Sequence, residues 1–120
     1  MQRTSTIRTR ATLLRDAIAV MESEYADELT LSHVARRIAT SPRQLQRCFD
    51  EHSDAPFRHR LARIRMQRAA ALLAETSLPV GAIATRVGYR QPAQFAKAFT
   101  RIYGVPPTRY RAGRHLIAAA

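Results

Sequence analysis

The chain has 120 residues, enough for one ordinary domain or for two very small ones sharing a core. Its 46% hydrophobic and 24% charged residues are globular values, which exclude a disordered basic tail. Twenty Lys and Arg against nine Asp and Glu give a net charge of +11, so the natural partner is a polyanion. No apolar run approaches the roughly 18 residues of a membrane span, and no membrane partner is expected. The basic stretch 1–10 is not followed by the apolar segment of a secretory signal. A lone cysteine, Cys48, excludes a disulfide framework and a Cys-based zinc site. Together these features point to the cytoplasm.

The charge is unevenly placed. Residues 1–75 hold 13 basic and nine acidic side chains, whereas residues 76–120 hold seven basic and none acidic. Nineteen of the 20 cations are Arg, whose planar fork matches phosphate and guanine edges as a Lys ammonium cannot. A GC-rich genome is the plain alternative source of that excess. Arginines without local carboxylates repel one another unless an external anion is their usual setting.

Periodicity predicts helices throughout, and no segment alternates with period two. Residues 11–26 place Leu14, Ile18, Met21 and Tyr25 on one face. Thr30 reads as the N-cap of a second helix, Leu31 to Ile38, burying Leu31, Val34, Ala35 and Ile38. After a break at Ala39-Thr40, Ser41-Pro42 reads as N-cap and first helical residue of a third helix reaching about Glu51. That helix turns Leu45, Cys48 and Phe49 inward. Residues 52–55 form a loop, and Pro56 opens the longest helix, to about Glu75. Its inward set is Phe57, Leu61, Ile64, Ala69, Leu72 and Leu73, and its outer face carries Arg58, Arg60 and Arg63. Pro79 starts a fifth helix with Val80, Ile83, Ala84 and Val87, ended by Gly88 in a left-handed conformation. A sixth, about Gln91 to Tyr103, buries Phe95, Ala98, Phe99 and Ile102. Gly104 closes it, and Pro106-Pro107 leads into a last short turn containing Tyr110. The fold class is all-α, with about seven helices.

Two segments share a plan. Val34, Ala35, Arg37 and Ile38 match Ile83, Ala84, Arg86 and Val87 at an offset of 49, and Leu45, Arg47 and Phe49 match Phe95, Lys97 and Phe99 at 50. Each is a short helix, a tight turn and a second helix with a polar outer face, the layout of a helix-turn-helix whose second helix enters the major groove of DNA. The expected organisation is a basic arm over 1–10, a DNA-binding domain over 11–112 and a tail over 113–120. Within the domain, the first helix-turn-helix spans about 31–51, the linker helix about 56–75 and the second helix-turn-helix about 79–103. A linker of about 19 residues is a rod of roughly 28 Å, somewhat short of the 34–36 Å between successive groove faces. Engaging both faces is therefore expected to bend the duplex, at roughly 1–6 kcal/mol.

The stretch 65–111, RMQRAAALLAETSLPVGAIATRVGYRQPAQFAKAFTRIYGVPPTRYR, resembles the second helix-turn-helix of the AraC/XylS family of bacterial transcription regulators. The features that carry the likeness are Arg68, Ala71, Leu72, Leu73, Val80, Ile83, Ala84, Val87-Gly88-Tyr89, Phe95, Phe99, Gly104, Pro107 and Tyr110-Arg111. SPRQLQRCF at 41–49 is similar to the family's first unit, and the likeness runs over about 14–111. It implies a sequence-specific regulator of the short, single-domain type, an activator that works as a monomer on an asymmetric site. RNA polymerase is a second partner that only the resemblance implies, and the nucleoid is the implied location. Three positions depart from the family pattern. Ala39 stands where Gly is common, Gln91 and Ala93 stand where Asp and Ser often open the second recognition helix, and Ala55 replaces a Ser or Thr N-cap. Base preference is therefore not carried over from relatives.

The candidate base readers are Arg43, Gln44, Gln46 and Arg47 on the first recognition helix, and Arg90, Gln91, Gln94 and Lys97 on the second. Arg pairs with guanine O6 and N7, and Gln with adenine N6 and N7. Candidate phosphate contacts are Arg37, Ser41, Arg86, Arg101, Thr108 and Arg109, which fix register without reading sequence. The plain alternatives are a solvated helix face or, for Arg37 and Arg86, a cation complementing a helix dipole. His33, His52, His59 and His115 lack metal-ligand spacing, no catalytic arrangement is present, and no cofactor is expected. Cys48 reads as a small buried hydrophobe. The chain reads as no enzyme and as free-standing. The competing functional readings are the DNA-binding part of a larger ligand-responsive regulator and a basic protein that binds nucleic acid by charge alone.

Overall fold

Thr9, Thr30 and Ser41 each place a side-chain oxygen on the backbone N–H three residues on, and each marks the start of a helix. One such cap is worth about 1 kcal/mol, because it satisfies a donor that the helix itself cannot. The computed structural model describes residues 8–119, with side chains described as far as Gly113. Among these residues there are seven α-helices and no strand. They are α1 (Arg10–Glu24), α2 (Leu31–Arg37), α3 (Pro42–His52), α4 (Phe57–Glu75), α5 (Val80–Arg86), α6 (Pro92–Tyr103) and α7 (Pro107–Ala119). The expected all-α class is the observed one.

The chain divides into two units, residues 1–61 and 62–120. In the first, α1 packs on α2 and α3, and α2 packs on α3. Its core holds Leu14, Ala17, Met21, Val34, Leu45, Cys48, Phe49 and Phe57, with Phe49 and Phe57 edge to face at 5.7 Å. In the second, α5 packs on α6 and α6 on α7. Met66, Leu73, Ile83, Val87, Phe95 and Phe99 fill that core, and Phe99 stacks on Tyr103 at 4.6 Å and meets Tyr110 edge-on at 5.3 Å. Each such aromatic pair adds about 0.5–1.5 kcal/mol beyond the area it buries.

The repeat is structural down to its turns. After α2, Ala39 N–H bonds the Arg36 carbonyl and Thr40 N–H the Ala35 carbonyl; after α5, Gly88 bonds Thr85 and Tyr89 bonds Ala84 in the same way. Both are Schellman closures, in which the residue past the cap adopts positive φ. That residue is Gly88 at φ 100° in one copy and Ala39 at φ 60° in the other. The likeness continues past α3 and α6, where residues 51–60 and 101–110 show the same order of buried and exposed side chains.

Several details differ from the sequence reading. Helix α1, expected over 11–26, begins at Arg10 behind its cap Thr9 and stops at Glu24. Met66 is fully buried although its period had not singled it out, while Leu31 and Leu72 are only half-buried. Ile102 lies on the inward phase of α6 but is 43% exposed. Phase decides direction, and burial also needs a neighbour over that last turn. The final element is a 13-residue helix where a short turn was expected. Pro107 opens it, and Gly113 alone is too weak a breaker to end it. The part of the basic arm at 1–7, and the side chains of 114–120, lie outside the described residues.

Candidate nucleic-acid interface

Helix α3 begins at an extended Ser41, whose Oγ accepts from Gln44 N at 3.0 Å, with Pro42 in the first turn where its missing donor costs nothing. Leu45, Cys48 and Phe49 anchor the inner side, so the helix period turns Arg43, Gln46, Arg47 and Asp50 outward. All four are exposed and fall within roughly one third of the helix circumference, while Gln44, about a sixth of a turn past Arg47, is half-buried. The structure thus brings three of the four candidate readers of this helix onto one exposed face and sets Gln44 at its flank. Gln46 is not loose: its Nε2 donates to Asp50 Oδ1 at 3.1 Å.

In the second unit α6 has no side-chain cap. Gln91 is extended and its backbone carbonyl accepts from both Gln94 and Phe95. Gln94, Lys97 and Arg101 follow one another at three and four residues and form a stripe of exposed side chains. Gln91 and Arg90 are exposed just ahead of the helix. Ala93 and Ala96 occupy the places that Arg43 and Gln46 hold in α3, so this face is leaner.

The candidate phosphate contacts fall into two groups. Ser41, Arg86, Arg101, Thr108 and Arg109 are exposed, the last two in the first turn of α7, where backbone N–H groups and the helix dipole favour an anion. Arg37 is also exposed, but its guanidinium pairs with Glu24, which lies beside His33 as well at 3.3 Å. On the linker, Arg60 turns back to Ser53 and Asp54 at 3.3 and 3.2 Å, so it closes the loop before α4.

Sequence reasoning missed several side-chain contacts around these helices. Asp50 lies one turn beyond Gln46, and that i, i+4 pair is legible in the sequence. Glu24 lies 13 residues from Arg37, and no local signal joins them. Arg8 donates to Asp16 at 2.8 Å and to the Ile38 carbonyl at the first Schellman turn. Arg10 pairs with Glu51, which holds that carboxylate below its ordinary range. Both arginines had been counted with the basic arm. Arg65 is half-buried with its guanidinium 5.7 Å from the centre of the Tyr89 ring. Burial pulls its pKa down, and Tyr89 offsets only part of that. Arg111 caps the far end of α4, with Nε on the Leu73 carbonyl at 3.1 Å and a terminal nitrogen on that of Thr76 at 3.2 Å.

The described residues contain no group of three or more His, Cys, Asp or Glu placed to hold a metal ion, and no helix long and apolar enough to cross a membrane. Burial pushes the Cys48 thiol above its usual value, which keeps it protonated and inert.

A family model described as a helix-turn-helix domain matches residues 34–113. The transcriptional regulator GbdR of Pseudomonas aeruginosa is 31% identical over 104 residues, which are 86% of this chain and 28% of that protein. The crystal structure of a transcriptional regulator from Chromobacterium violaceum, of the AraC-type DNA-binding domain-containing proteins, gives a TM-score of 0.81 at 25% identity. It covers 86% of this chain and 92% of that one. The DNA-binding domain of AdpA, a global transcriptional factor solved with a target DNA, gives 0.77 at 26% identity over 83% and 90% of the two chains. Curated relatives are longer, and the chain spans between 12% and 35% of their length. Two helix-turn-helix units of matching build, with basic and amide side chains outward, agree with these likenesses: the chain belongs to the AraC-type helix-turn-helix family of DNA-binding transcription regulators.

Proposed function

We propose that this chain reads double-stranded DNA by setting α3 and α6 into adjacent major-groove segments, and so regulates transcription. The observation that carries this is the duplicated unit itself, two Schellman-closed helix pairs whose second helices turn Arg, Gln and Lys to solvent. Arg43, Gln44, Gln46 and Arg47 read bases from α3, Gln94 and Lys97 from α6, and Arg90 and Gln91 from the turn just ahead of it. Ser41, Arg86, Arg101, Thr108 and Arg109 hold phosphates. Arg37 joins them only by exchanging Glu24 for a phosphate oxygen, which makes it the weakest of the set.

Charge supports a division of labour. Residues 1–61 hold ten basic and eight acidic side chains, and residues 62–120 ten basic and one acidic. In the first unit Arg8, Arg10, Arg37 and Arg60 are spent on carboxylates. On net charge, +2 (10 − 8) against +9 (10 − 1), the second unit supplies most of the charge-driven affinity, and α3, with the richer set of readers, most of the discrimination. Activation through RNA polymerase, a monomeric state on DNA and action at the bacterial nucleoid complete the reading. The protein binds and does not catalyse. Relatives several times longer favour a second form of it, in which the same module serves a larger ligand-responsive regulator.

The test is selection from random duplexes of about 25 base pairs, a little over two helical turns, at physiological salt with excess competitor. An asymmetric site with two short blocks about one turn apart is expected. A palindrome points to a dimer and to the larger regulator. No enrichment refutes sequence reading and leaves binding by charge alone.

A further inference from the structure

The first turn of α6 is apolar on its outside. Pro92 and Ala93 are both exposed there, while Phe95 behind them is fully buried, edge to face with Tyr89 at 5.8 Å and against Phe99 at 5.9 Å. That packing holds the Ala93 methyl group at a fixed place on the outward face, with Lys97 one turn on. The needs of the helix do not account for it. A helix start is served by a side chain that accepts from a free N–H, or by a carboxylate near the positive end of the dipole. Helix α3 has Ser41 for that purpose, whereas α6 has neither a side-chain cap nor an acidic residue in its first turn. Nor does Ala93 fill the core, since it is exposed, and Arg43 holds the matching place in α3.

Toward DNA a methyl group has one favourable kind of base contact. It neither donates nor accepts, so an amino or carbonyl edge pressed against it loses water without gaining a partner. The C5 methyl group of thymine gains by leaving water in the same place. Resting on the DNA-reading role above, we propose that Ala93 is a specificity-determining residue, which selects a thymine in the groove segment facing α6 by packing on its methyl group. Ala93 adds an apolar reader to Gln94 and Lys97, so the leaner helix discriminates by apolar contact as well as by hydrogen bonds. An alanine reaches one carbon beyond the backbone, and the thymine it reads lies close under the first turn of α6.

The experiment takes the full chain and the site recovered by random selection, and replaces each thymine in turn by deoxyuridine, which lacks only the methyl group. At the thymine under Ala93 the wild type is expected to lose about fourfold in affinity, the worth of one buried carbon group. Cytosine at that position should bind weakly, and 5-methylcytosine should regain about the same factor, because its methyl group occupies the same place in the groove. Ala93→Gly should bind the thymine and deoxyuridine duplexes within about twofold of each other at that one position, with its response at every other thymine unchanged. Ala93→Ser, which puts a hydrated hydroxyl at the contact, should narrow the same gap and serves if the glycine variant melts early. A wild type indifferent to every deoxyuridine, or a methyl effect that persists undiminished at every thymine in the Ala93 variants, overturns the inference while the DNA-reading role stands. A wild type that selects no site overturns both.

Discussion

Ala39 carries backbone strain that its counterpart avoids, and Ala39→Gly measures it. At φ 60° the methyl group crowds the following carbonyl, which costs an L-residue about 1–2 kcal/mol in the left-handed region. Glycine removes that cost but loses about 0.4–1 kcal/mol through its freer unfolded chain. The net expectation is a gain of about 0.5–1 kcal/mol, because the Schellman hydrogen bonds are backbone bonds and survive the change. At about 4–8 °C per kcal/mol for a domain of this size, the melting temperature should rise by roughly 2–8 °C. The reciprocal change, Gly88→Ala, starts from φ 100° and should lose at least about 1 kcal/mol. Urea denaturation followed by circular dichroism reads both as shifts of midpoint at constant slope. A neutral or destabilising Ala39→Gly would falsify the strain argument and show that the methyl group makes up its cost in packing. A harmless Gly88→Ala would show that neither turn needs glycine.

Arg111→Ala should destabilise the chain by about 1–2 kcal/mol, since it strips charge-assisted bonds from two carbonyls at the end of α4, one of them partly buried; a melting curve unchanged by it contradicts the cap. Cys48 should react with a thiol reagent far more slowly than a free thiol at neutral pH, and denaturant should restore the normal rate. Fast labelling of the native protein would mean that the α3 core opens readily. Because Arg10 lowers the Glu51 pKa, their pair stabilises fully above the ordinary glutamate value of about 4.3 and fades as pH falls through the lowered one. The small stability gap between wild type and Glu51→Gln should therefore close on acidification; a widening gap reverses the sign and the reasoning with it. On the selected DNA site, Arg47→Ala should lose about 1–3 kcal/mol of discrimination at one base pair, whereas Arg109→Ala should weaken all sequences alike and lower the salt slope by about one. If the two variants exchange these signatures, base and phosphate roles have been assigned the wrong way round.

Much of this protein is written locally. The caps at Thr30 and Ser41, the stop at Gly88 and the inward rows of α3 and α6 follow from spacing and from the needs of helix ends, which involve residues three or four apart. The repeat follows as well, since two copies of one pattern at nearly constant offset need no coordinates to be seen. The outward row on α3 was legible for the same reason, and so was its basic character.

Contacts between distant residues were not legible. Glu24 engages Arg37, Arg8 reaches the Ile38 carbonyl, and Arg111 reaches back to Leu73 and Thr76 only because the chain has folded around them. Period placed Ile102 inward, yet what covers a side chain is a matter of neighbouring elements, and Ile102 stays exposed while Met66 is enclosed. Sequence by itself thus determined the helices, their faces and the duplicated helix-turn-helix, because helical order is local. Tertiary structure alone decided which arginines meet a carboxylate or a carbonyl of the chain itself. An arginine is spent as soon as folding brings a carboxylate or a carbonyl within reach, and no spacing rule records that encounter.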